Sequence, residues 1–80
     1  SSDKLLSHIT VDPEICRGKP CIRGFRYPVE SIVEYLAGDS VEQVLAEFPD
    51  LERDDILASL EFSRKMLAAE SVHLALIVHP

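Results

Sequence analysis

An 80-residue chain with a formal charge of −6 makes one small domain with little core to spare, and its acidic balance excludes strong non-specific affinity for nucleic acid. No apolar run is long enough to span a bilayer and no signal peptide is evident. A cytoplasmic location is therefore expected, with Cys16 and Cys21 reduced and the missing stability supplied by assembly into a homodimer.

Residues 1–6 read as a frayed end. From His8 to Asp12 the side chains alternate, with Ile9 and Val11 on one face, and Asp12-Pro13 closes the strand. Residues 14–20 form a loop punctuated by Gly18 and Pro20. A second extended piece follows at Cys21–Tyr27, where Gly24 permits a bulge. Between Ile15 and Val29 the charged residues are Arg17, Lys19, Arg23 and Arg26, with no acid among them. That arm carries +4 and the rest of the chain −10. Its blandest use is to offset the acidic body or to meet a second subunit; its sharper use is to bind a ligand.

Pro28 suits the start of a helix. Val29, Ile32, Val33 and Leu36 then repeat at helical spacing, and Gly38 is expected to end the helix in a left-handed conformation. Ser40 and Gln43 make a capping box. Behind them Val41, Val44, Leu45 and Phe48 form one apolar stripe, which Pro49 terminates. Eight residues cannot hold a helix alone in water, so this helix must lie between its neighbours. The next one is capped by Glu52 or Asp50, with Asp54 and Asp55 in its first turn complementing the positive dipole end. Its core face is expected to be Ile56, Leu60, Ser63 and Leu67. Phe62, Met66 and Ala69 make a second, partly apolar face. In the tail, Val72, Leu74, Leu76 and Val78 alternate with His73, Ala75, Ile77 and His79, which predicts a C-terminal strand. Left as an edge, such a strand is a hazard, so β segments shared across a two-fold axis are the expected dimer contact.

The reading is thus a mainly α, single domain: a short N-terminal β arm (residues 8–27), a three-helix, helix-turn-helix-like core (28–69) and a tail (70–80) with a C-terminal strand. Catalytic and metal chemistry find no footing. Gly18-Lys19-Pro20 lacks the second glycine, the Ser or Thr and the following helix of a phosphate loop. Cys16, Cys21, His8, His73 and His79 are not spaced as zinc ligands. No nucleophile, base and orienting acid form a set, so no enzyme and no cofactor are expected.

Several strings are more specific. Ile9-Thr10-Val11-Asp12-Pro13, then Gly18-Lys19-Pro20-Cys21-Ile22-Arg23-Gly24 with Arg26, Pro28 and Val29, and later Val41 to Pro49 and Asp55-Ile56, resemble the bacterial domain-of-unknown-function family 433 over about residues 8–69. The resemblance implies a homeodomain-like three-helix core behind a β arm. It also implies a place among antitoxins of toxin–antitoxin pairs, whose partners look like PIN-type ribonucleases. Phe25 and Glu52 depart from the family's pattern, which often has Thr, or Thr or Ser, at those places. Glu52 sets negative charge where a DNA-reading helix would meet phosphates.

Three uses remain in view. The first is partner binding, with Arg17, Lys19, Arg23 and Arg26 as the contact residues and Arg23 and Arg26 foremost, because Arg engages carboxylates in pairs. The second is DNA binding by a helix-turn-helix regulator acting on its own promoter, and the third a structural adaptor.

Overall fold

The computed structural model describes residues 2–78. In chain order these are α1 (Ser2–Leu6), β1 (Ile9–Thr10), β2 (Cys21–Ile22), α2 (Val29–Leu36), α3 (Val41–Glu47) and α4 (Arg53–Val78). The two strands pair antiparallel within the chain, Ile9 opposite Ile22 and Thr10 opposite Cys21. Two-residue strands are marginal alone, and here β1 and α1 both lie against α4. Residues 2–6 are thus helical rather than frayed. Five residues cannot sustain a helix in water; packing on α4, with Leu5 and Leu6 half-buried, supplies what propensity lacks.

The core is one cluster: Ile22, Val29, Ile32, Val44, Leu51 and Ile56. Helices α2 and α3 contribute residues from their apolar stripes. α2 gives Val29 and Ile32, with Val33 and Leu36 partly buried against them. α3 gives Val44, flanked by Val41, Leu45 and Phe48. Its capping box forms in full: the Gln43 amide donates to Ser40 Oγ at 3.1 Å, and the Ser40 amide donates to Gln43 Oε1 at 2.6 Å. Between α2 and α3 the chain turns without a left-handed residue, because positive φ among the glycines occurs only at Gly18 and Gly24. The last turn of α2 tightens instead, with the amides of Ala37 and Gly38 donating to the carbonyls of Glu34 and Tyr35. This satisfies the orphan carbonyls without a Schellman turn.

Two expectations for the C-terminal half are corrected. The buried face of α4 is Asp55, Ile56, Ala58 and Ser59, while Leu60 and Leu67 are exposed. The face is turned because Asp55 is held inside by His8 and Arg23, while Ser59 can be buried beside it because its hydroxyl donates to the Asp55 carbonyl one turn back. The tail is not a strand: α4 runs unbroken to Val78. From Arg53 to Val78 there is no Gly or Pro. Once a helix is nucleated, each further residue adds a bond at little cost, and Lys65 to Glu70 are nearly all strong helix formers. The alternation of the tail needs a strand partner, and the two-residue β1–β2 ladder offers none of that length. Pairing through a strand of the tail is thereby ruled out for residues 71–78; His79 lies outside the described residues.

Candidate functional site

Asp55 is the buried centre of the basic arm. At the third position of α4 its side chain reaches back to the helix start, accepting from the Glu52 amide at 2.7 Å, the carboxylate half of a capping box. The same carboxylate accepts from Arg23 Nε and Nη2, both at 2.8 Å, and from His8 Nδ1 at 2.7 Å. An ionised carboxylate only accepts, so the proton of this bond sits on His8 Nδ1. Four donors fill both oxygens. Burial pushes the Asp55 carboxyl up, but the hydrogen bonds from Arg23, the Glu52 amide and His8 outweigh it and hold the group below its ordinary value. Asp55 raises the Arg23 guanidinium in turn.

Arg23 is therefore engaged by the fold, although its side chain remains 35% exposed. It also donates to the Asp50 carbonyl at 3.2 Å, lies over the Phe25 ring at 5.0 Å, and adopts a left-handed backbone, φ 41°. A non-glycine residue in that region is held there by its surroundings, here by the three bonds of its own guanidinium. Phe25, Tyr27, Phe48 and Tyr35 continue from it as a chain of rings with centroids 5.1–5.8 Å apart. Tyr27 closes the arm by donating to Asp50 Oδ2 at 3.0 Å.

The other three basic residues stand differently. Lys19 Nζ meets Glu30 Oε1 at 2.6 Å, an exposed pair of small worth. Arg17 sits in a tight turn, Cys16–Gly18, in which three successive residues have positive φ. Arg17 and Arg26 are exposed, and no hydrogen bond or ion pair engages them among the described residues. Cys21 beneath this turn is buried, which together with the adjoining Cys16 thiol pushes its own thiol up to about 11; it stays protonated and behaves as a small apolar side chain.

A groove of about 450 Å³ opens beside the arm, between α2 and α4, with Lys19, Pro20, Val29, Val33, Phe62 and Met66 in its wall. Among the described residues no group of three or more His, Cys, Asp or Glu side chains is placed to hold a metal ion. No helix of the described chain is long and apolar enough to cross a membrane. The arrangement offers charge and surface for recognition.

The sequence pointed to the arm but not to its anchor. In the sequence Asp55 reads only as one of the acids in the first turn of its helix, complementing the dipole. Nothing local shows that Arg23 and His8, 32 and 47 residues away, share it.

Comparison with known proteins gives one family and one fold. The model of DUF433, described as proteins of unknown function, matches residues 9–63. The crystal structure of a DUF433 member protein from Anabaena variabilis ATCC 29413 superposes with a TM-score of 0.72 at 27% identity, covering 91% of this chain and 73% of that one. No curated protein matches the chain.

Proposed function

The chain belongs to the DUF433 family of proteins of unknown function, and on that footing we propose that it is a non-enzymatic, antitoxin-like protein that acts by binding a partner protein of the PIN-type ribonuclease class. The observation that carries this reading is the division of labour in the basic arm. Arg23 is consumed by Asp55, which fixes the arm, while Arg17 and Arg26 face outward with no internal partner among the described residues. Arg26 lies between Phe25 and Tyr27, whose rings are packed together, so its backbone is held in place. A free guanidinium on a fixed backbone can engage a carboxylate through two parallel bonds. PIN-type nucleases gather carboxylates to hold metal, and an arm of +4 on an otherwise acidic body suits such a surface.

DNA binding is the weaker alternative. In the helix-turn-helix-like order of α2 to α4 the reading helix would be α4, and its start presents exposed Glu52 and Asp54. Arg53 is tied to Glu42 at 2.9 Å. Phosphates would meet acids there.

The test is calorimetric titration with a PIN-type ribonuclease from the adjacent gene; an adjacent gene that encodes no such enzyme counts against the reading. Binding is expected, weakened about tenfold or more in the Arg17→Ala/Arg26→Ala double variant at unchanged melting temperature. Absence of binding, or equal binding by the double variant, overturns the reading. Sequence-specific binding to its own promoter at physiological salt would transfer the function to the regulator.

A further inference from the structure

We propose that Cys16 and Cys21 are a reversible redox pair, a modification site at which a low-molecular-weight disulfide closes an intramolecular disulfide across the tight turn of the basic arm. The turn is what brings the two side chains together. Cys16, Arg17 and Gly18 take φ of 49°, 59° and 80° in succession. The amides of Gly18 and Lys19 clasp it, donating to the carbonyls of Ile15 and Cys16 at 3.0 and 3.1 Å. Cys16 thereby folds back beside Cys21, and the two thiols share a hydrogen bond. A left-handed backbone is unfavourable for a residue with a side chain, so Cys16 and Arg17 are held in it by their surroundings. The other side of the pair is fixed as well. Cys21 is paired with Thr10 in the sheet and bridged to Pro28, and the Val29 amide donates to the Pro20 carbonyl at 2.9 Å. Both cysteines are free thiols.

The two thiols differ in access, and access assigns their roles. Cys16 is half-buried and Cys21 is 1% exposed, so a reagent from solvent meets Cys16 first. The deprotonated Cys16 sulfur attacks one sulfur of the small disulfide. The S–S bond of the reagent breaks, and the departing thiolate takes up the proton that Cys16 gave to solvent. Cys16 then carries a mixed disulfide. Cys21 keeps its proton at rest and gives it up only in the second, slower step, in which its sulfur attacks that of Cys16 and expels the second small thiolate, which takes the proton. The pair is oxidised by two electrons and the reagent is reduced to two thiols. The new bond closes a ring from Cys16 to Cys21 that contains Arg17 and Lys19 and leaves Arg23 and Arg26 outside. Oxidation thus acts on the half of the arm's charge that lies in the turn.

Equilibration of the full chain with oxidised and reduced glutathione, quenched in acid and read by intact mass, tests this without any partner protein. The expected product is lighter by two hydrogens, maps to a 16–21 cross-link and reverts in excess reduced glutathione. Closure in the native chain should be favoured about tenfold or more over closure in concentrated urea, because the fold holds the pair together. Cys21→Ala should stop at one glutathione on Cys16, and Cys16→Ser should stay unmodified, with far-UV circular dichroism confirming that each variant is folded. The comparison of the parent chain in buffer and in urea needs no variant and decides the matter if Cys21→Ala fails to fold. A native chain that closes no more readily than the unfolded one overturns the proposal, as does one that holds glutathione on Cys16 without closing or that forms disulfide-linked dimers instead. Modification of Cys21 as fast as Cys16 would overturn the assigned roles.

Discussion

At the scale of single residues, the arm contains two kinds of arginine. Arg23 neutralises a fully buried carboxylate, and removing one partner of such a pair leaves an uncompensated group inside. Asp55→Ala removes the bonds to Arg23, His8 and the start of α4 together. It should destabilise the protein by about 3 kcal/mol in urea titration, and Arg23→Ala should lower the melting temperature clearly. Arg26→Ala should leave it unchanged, because that side chain spends nothing on the fold. A melting temperature equally sensitive to Arg23→Ala and Arg26→Ala would contradict this division.

At the scale of elements, α3 shows how local signals suffice. Seven residues form a helix because Ser40 and Gln43 satisfy two orphan amides reciprocally and because Val44 faces the core. Ser40→Ala should cost about 1 kcal/mol, measured by thermal or urea unfolding; no loss would mean that packing of Val44 alone holds the helix. α4 shows the opposite. The alternation of Val72, Leu74, Leu76 and Val78 is a genuine strand pattern, yet the segment is helical. Periodicity reports which backbone would bury those side chains, and helix propagation from Arg53 does not depend on burying them.

At the scale of the whole molecule, acid should unfold the protein through Asp55. Its carboxyl is held below the ordinary value in the fold, so its contribution is fully present above the unfolded value of about 4. That contribution is lost as pH falls through the lower, folded value. The melting temperature should be flat in its Asp55-dependent part from neutrality to about pH 5 and fall below about 4. The gap between the parent chain and Asp55→Asn should narrow over the same range; a constant gap would remove Asp55 from the acid response.

The sequence by itself determined the order of the β arm and the three core helices. Pro28, the Ser40–Gln43 box and the stripes of α2 and α3 act within one or two helical turns, and such distances are written in the chain. Only the tertiary structure decided that Asp55 turns inward and takes Arg23 with it, that Ser59 rather than Leu60 faces the core, and that residues 2–6 find a helix to pack on. The first of these depends on partners 32 and 47 residues from Asp55 in the chain. Their bonds repay the cost of burying a charge only after the helices have brought them together.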